Sequence, residues 1–213
     1  MEIGPNPVDM MIGFSHYEAA RAAIAHLFAQ GHRKIGFVGA RMDPRVQRRL
    51  DGYVSAMKDA GLFEQRLVVT TATPTSVTLG GALFTDLLAR EPGMDAVFCA
   101  NDDLALGVLF ECRRREIAIP EQIAIVGFND LEFMASAVPT LTSVRTNRYE
   151  MGNTAASMLI DAIDGRRPEL PVLDLGFKVI ERQSSSARRS DDRPAASGAG
   201  AANKMIALPS GQD

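Results

Sequence analysis

The sequence predicts an α/β fold, a doubly wound parallel sheet, and three observations carry that reading. Short apolar runs alternate along the chain with longer stretches whose apolar residues recur at helical spacing. The runs are apolar almost without interruption, as strands are when helices cover both faces of their sheet. Enough chain separates each run from the next for a crossover helix, which parallel neighbours require.

Element by element, a first helix is expected from Ser15 to Gln30. Ser15 and Glu18 have capping-box spacing, and Gly31 can close the C-terminus. Its apolar stripe is Ala20, Ala23, Ile24, Leu27 and Phe28. Ile35–Val38, bounded by Gly39, reads as a buried strand. A helix follows from about Val46 to Ala60, ended by Gly61. Leu67–Thr70 reads as a strand and Val77–Arg90 as a helix. Ala96–Ala100 is a strand, and Asp103–Glu116 a helix with Leu104, Val108 and Cys112 on one face. Ile123–Phe128 is another strand. A last helix runs from about Arg148 to Asp164, with Met151, Ala155, Met158, Leu159, Ala162 and Ile163 on one side; that stripe is expected to be core rather than a cofactor box. From Ser184 onward the chain is rich in Ser, Ala and Gly, lacks aromatics and has no periodicity, so residues 184–213 are expected to be a disordered tail.

Composition narrows the function classes. The chain has 213 residues, 46% hydrophobic and 23% charged, which excludes wholesale disorder and fibrous structure. The formal net charge is −3, and such a surface attracts phosphate backbones weakly. No apolar run reaches the ~18 residues of a membrane helix. Met1–Pro5 has neither a basic n-region nor an apolar h-region, so a cytoplasmic protein is expected. Two cysteines, Cys99 and Cys112, make no disulfide framework. No Walker loop, GxGxxG or GxSxG elbow is present, and His16, His26 and His32 lack zinc-ligand spacing, so neither catalysis nor a cofactor or metal is expected.

The polar residues collect after the strands. In open α/β sheets ligands sit beyond the carboxyl ends of the strands. Gly39–Arg45, with Arg49 a turn further on, follows the first strand, and Thr71–Ser76 the second. Asn101, Asp102 and Asp103 follow the third, and Asn129 and Asp130 the fourth. Amides, carboxylates, hydroxyls and guanidinium forks at one edge suit a polyhydroxylated ligand, whose hydroxyls need paired partners. The alternative is local: Asn and Asp after a strand also cap helices and make Asx-turns, and Arg49 could form a surface ion pair. His16, at a helix start, is open between capping and lining the pocket.

Several strings then resemble one family in order and spacing: GHRKIGFVGA, the R-x-x-G-Y at Arg49–Tyr53, FCANDDLALG at Phe98–Gly107, IPEQIAIVGFND at Ile119–Asp130, and PTLTSVRTNRYEMG at Pro139–Gly152. Over about residues 6–183 they resemble the effector-binding domain of LacI/GalR-type bacterial transcriptional regulators. NPVDMMIGFSH and MDPRVQRR resemble the gluconate-operon-repressor branch. The resemblance implies a periplasmic-binding-protein-like domain with one nearly complete C-terminal lobe and a partial N-terminal lobe. Residues 1–15 would be a remnant of the N-terminal lobe and first crossover, 16–143 the C-terminal lobe, 144–175 an N-lobe segment and 176–183 the return. It further implies ligand roles for Arg49 and Asn101. Asn129 stands where many members have Asp, which removes a charge. Thr75 stands where several have a stacking aromatic. Asp43 and Arg45 fall in the variable specificity loop, and Thr146 and Arg148 would face the pocket from the other lobe.

The implied function is effector sensing, without catalysis, in a transcriptional regulator. The implied partners are a sugar or sugar-acid effector (gluconate-like, from the cluster Arg41, Arg45, Arg49, Arg145 and Arg148), a second copy in a homodimer, and DNA only through a helix-turn-helix headpiece that this sequence lacks; no membrane contact is implied. The chain is accordingly expected to be N-terminally truncated, with an apolar face on the last helix left uncovered. Two rivals remain open: a periplasmic sugar-binding protein, which shares the fold but needs an export signal, and an α/β enzyme, which needs a phosphate loop or acid/base pair.

Overall fold

A computed structural model of the chain describes Ile3, residues 9–166 and residues 171–186. Along it run β1 (Met11–Gly13), α1 (His16–Ala29), β2 (Ile35–Ala40), α2 (Pro44–Asp59), a 3-10 turn at Gln65–Leu67, β3 (Val68–Thr71), α3 (Val77–Arg90), β4 (Ala96–Cys99) and α4 (Asp102–Arg114). β5 (Ala124–Asn129), the short α5 (Phe133–Ser136), β6 (Thr142–Thr146), α6 (Arg148–Ile163), β7 (Val172–Asp174) and β8 (Phe177–Ile180) follow.

The helices start where a short polar side chain can satisfy the free N–H groups of a first turn. The Ser15 hydroxyl accepts from Glu18 N at 3.2 Å. Ser76 accepts from Leu79 N at 3.1 Å, and Asn101 from Leu104 N at 3.1 Å. Asp43 accepts from Arg45 N and Val46 N at 3.0 and 3.2 Å. With Pro44 pre-set for the first helical position, α2 begins before the expected Val46.

Six strands form one sheet in the order β3-β2-β4-β5-β6-β8. All neighbours are parallel except the last pair: β8 runs antiparallel to β6, with Thr146 opposite Phe177 and Ser143 opposite Ile180. β8 enters the sheet at the end where β6 leaves it, so it must run back. β6 stays in this sheet through Thr146, past the boundary expected at 143/144. Its Thr-Ser-Val-Arg-Thr sequence lacks an apolar run, yet Thr142, Ser143, Val144 and Thr146 are buried.

The core lies on both faces of the sheet. Phe37 and Phe98 are register partners with ring centroids 5.7 Å apart, and Phe128 continues the row at 6.4 Å from Phe98. Tyr53 of α2 closes over Phe37 at 5.3 Å and donates its hydroxyl to Ile35 O at 2.7 Å. Each such ring contributes roughly 1.5–3 kcal/mol by leaving water. Burial pushes the Tyr53 phenol above its ordinary pKa. Where α1 and α2 cross, glycine is required: a Cβ on Gly52 would stand 2.3 Å from Tyr17 O.

A second, smaller unit holds β1 paired in parallel with β7, and α6 beside them. Of the stripe expected as core on α6, Met151 alone packs against the core, half-buried; the rest stays outside it, and the apolar face is left uncovered, as the resemblance implied. No residue of α6 is buried, and Tyr149, Leu159, Ile160 and Ile163 are exposed. A two-stranded sheet is too narrow to cover a sixteen-residue helix.

The expected tail boundary is also corrected. Ser184 and Ser185 are fully buried. Ser184 Oγ donates to Ile125 O at 2.6 Å and accepts from Thr142 N at 2.9 Å. Ser185 Oγ lies 2.6 Å from Thr142 Oγ1 and 2.8 Å from His26 Nε2. Hydroxyls satisfied by the sheet do here what composition reserves for apolar side chains. Residues 187–213, the rest of that expected tail, lie outside the described residues. Among the described residues, no helix is long and apolar enough to cross a membrane.

Candidate functional site

The carboxyl ends of β2, β4 and β5 and the loop before α3 surround a cavity of about 230 Å³. Ala40, Arg41, Asp43, Arg45, Val46, Arg49, Thr75, Asn101, Asp103 and Asn129 line it. Six of the residues singled out from the sequence (Asp43, Arg45, Arg49, Thr75, Asn101 and Asn129) therefore meet at one place, although they span 87 positions of chain. The volume lies below the ~300–1,000 Å³ of pockets for drug-sized ligands, which suits a smaller guest.

Arg49 is 6% exposed, the deepest charged group of the wall. Its Nε donates to His16 Nδ1 at 3.1 Å and its guanidinium donates to Ala100 O. The guanidinium carbon lies 3.7 Å from the centroid of the Phe128 ring, a cation–π contact in a desolvated place. His16 is itself held between Phe14 and Phe128, at 4.4 and 5.7 Å. Burial first, then the Arg49 charge, lower its pKa to about 3, so it is neutral near pH 7 and offers Nδ1 as an acceptor. His16 thus supports the wall from behind; no local sequence signal links it to Arg49, 33 residues away.

Asn101 caps a helix and also lines the cavity. Its Oδ1 caps α4 while its Nδ2 donates to Thr75 Oγ1 at 3.2 Å at the cavity edge. Asp43 likewise caps α2 and takes an ion pair from Arg45 at 2.8 Å. That hydrogen-bonded pair, more than anything else, holds the Asp43 carboxyl below its ordinary range. Asp102 and Asp103 separate. Asp103 lines the cavity, whereas Asp102 is fully buried and accepts from Leu131 N at 2.7 Å and Ser143 Oγ at 2.7 Å. Burial raises the Asp102 pKa against those two hydrogen bonds.

Thr146 and Arg148 do not line this cavity. They border a wider recess of about 620 Å³ with Asp130, Arg145, Asn147, Tyr149 and Glu150. Thr146 is 6% exposed and pairs with Phe177 of β8, and Arg148 opens α6 beyond the end of β6. The wider recess draws on one crossover segment and Asp130. The smaller cavity gathers side chains from four separate loops, and it is the candidate site.

Asn129 and Asp130 adopt φ of +115° and +55°, left-handed values that cost a side-chain-bearing residue of the order of 1–3 kcal/mol. Asn129 sits at the cavity wall in that conformation.

Residues 24–185 match the family of periplasmic binding protein-like domains. The HTH-type transcriptional regulator GntR of Pseudomonas aeruginosa is 44% identical over 174 residues, covering 82% of this chain and 51% of that protein. The chain spans about half the length of the curated relatives it matches. Among solved structures, a transcription regulator GntR from Chromobacterium violaceum superposes with a TM-score of 0.84 at 41% identity, covering 87% of this chain and 68% of that one. A CelR–cellobiose complex superposes with a TM-score of 0.76 at 30% identity, covering 84% of this chain and 56% of that one.

Proposed function

The chain belongs to the periplasmic binding protein-like family, and from that membership we propose that it is the effector-sensing part of a LacI-type transcriptional regulator. The single observation that carries this reading is the meeting of Arg49, Asn101, Asn129 and Asp103 around one cavity at the strand ends. An amide, a guanidinium fork and a carboxylate supply donors and acceptors in pairs, as adjacent hydroxyls need. Cellobiose bound to a structural relative supports a sugar-class ligand. The chemistry is recognition without turnover, and the protein acts in the cytoplasm. In this reading the six-stranded unit is the C-terminal lobe and β1, α6 and β7 belong to the N-terminal lobe. DNA contact belongs to a headpiece and not to the domain matched at residues 24–185.

The effector is a sugar acid of the gluconate type. Arg41, Arg45 and Arg49 outnumber Asp43 and Asp103 around the cavity, and Arg45 already neutralises Asp43. A ligand carboxylate completes that balance. Calorimetry with gluconate, glucose and ribose tests it: gluconate is expected to bind and the neutral sugars to bind more weakly. A preference for glucose or ribose would overturn the acid.

The regulator is a homodimer, and its contact uses the apolar groove between α4 and the α5 region. Phe110 and Val138 stand 50% and 68% exposed there, beside Leu106, Leu109 and Phe133. Phe110→Glu is expected to shift the sedimenting species from dimer to monomer; an unchanged mass would refute this face.

A further inference from the structure

The strained turn at the cavity wall is held in an unusual way. The Asn129 side chain lines the cavity from this turn, so the backbone that carries it bears on where its amide points. That backbone is left-handed at Asn129 and Asp130, neither of them glycine. Such a conformation persists only where the surroundings over-determine it.

The surroundings do so through one buried network. Asp130 N donates to Ser143 Oγ at 3.0 Å. Ser143 Oγ in turn donates to Asp102 Oδ1 at 2.7 Å, and Leu131 N donates to Asp102 Oδ2 at 2.7 Å. The two amides that follow Asn129 are therefore tied to one carboxylate, one directly and one through a hydroxyl. Both Asp102 and Ser143 are fully buried. The Asp130 carboxylate is fixed from the other side by Arg145 at 2.6 Å and Arg182 at 2.8 Å. Gly127 makes room for the arrangement: a Cβ there would lie 2.5 Å from Asp102 Oδ1. Neither Asp102 nor Ser143 lines the cavity.

We infer that Asp102 and Ser143 are positioning residues of the effector site: they pin the turn at Asn129–Asp130 and thereby aim the Asn129 amide into the cavity. The pin belongs to the fold; its value for recognition rests on the effector reading given above. Ser143 lies on β6 and Asp102 at the start of α4, so the aim of one cavity side chain is set jointly by two elements that contribute nothing else to it through these residues.

Ser143→Ala in the full chain tests this in two arms. Without ligand, the side-chain amide resonances of Asn129 are expected to broaden or double while those of Asn153, on α6, stay unchanged. With gluconate, affinity is expected to fall about 10-fold at a temperature where circular dichroism shows the variant folded. In an Asn129→Gly background the same Ser143→Ala change should cost less than about twofold, because no side chain is left to aim. An equal loss in both backgrounds, or an unmoved Asn129 amide pair, overturns the assignment. Asp102→Asn serves the same cycle should Ser143→Ala not fold, and is read by the same outcomes. If the unsubstituted chain binds none of gluconate, glucose and ribose, the effector reading fails, and the ligand-free arm still decides the positioning role.

Discussion

Replacing Gly107 by alanine is expected to destabilise the protein by about 3 kcal/mol, the upper range of overpacking. The residue lies inside α4 where that helix crosses α3. A Cβ there would stand 2.0 Å from Val77 O, 2.8 Å from Gly81 N and 2.9 Å from Gly80 Cα. All three obstacles are backbone, so no side chain can swing aside, and the two helices must part along their contact. Alanine would otherwise favour a helix interior by ~1 kcal/mol over glycine; the clash exceeds that gain. Gly81→Ala is the control. Its Cβ would meet Gly107 O at 3.3 Å and Glu111 Cβ at 3.7 Å, contacts a shift of a few tenths of an ångström relieves. Urea unfolding should place Gly81→Ala within about 1 kcal/mol of the parent. Equal stability of the two variants would refute the account. The effect reaches the site, because α4 carries Asn101, Asp102 and Asp103 at its start.

Why some of this was readable in advance and some was not follows from how local each signal is. The helix at Val77–Arg90 matches its expected bounds because Ser76 and the apolar period that follows are neighbours in sequence. α2 starts before the expected Val46 because the Asp43 carboxylate caps it ahead of Pro44, a signal that lies outside the apolar period. β6 and the serines at 184 and 185 were invisible to an apolar-run criterion. Their burial is made possible by hydrogen bonds from a strand more than forty positions away, which composition does not encode. The site was readable at its strand ends, since the sheet architecture alone sends Arg49, Asn101 and Asn129 to one edge. What lies behind those residues was not. The His16–Arg49 and Asp102–Ser143 contacts join elements far apart in sequence, and Thr146 pairs with a strand 31 positions further on.

Arg49→Met is expected to lower gluconate affinity by on the order of 100-fold, the loss of one or two charge-assisted hydrogen bonds to a carboxylate or hydroxyl pair. Fold stability is subject to opposing changes. Methionine keeps the length and most of the volume against Phe128, and it removes a buried charge whose desolvation opposed folding. Against that, Ala100 O and His16 Nδ1 lose their donor, at a cost of about 1–3 kcal/mol for each group left dry. A readout at His16 separates the two effects. In the parent, burial and then the Arg49 charge hold its pKa near 3. Without that charge the imidazolium is less disfavoured, so the pKa rises, but burial is the larger cause and keeps it below the ordinary histidine value. Proton NMR of the imidazole ring follows that titration, and calorimetry follows the affinity. A variant whose His16 titration moves upward while gluconate still binds at parental strength would show that the guanidinium serves the wall alone, and would remove Arg49 from the recognition set.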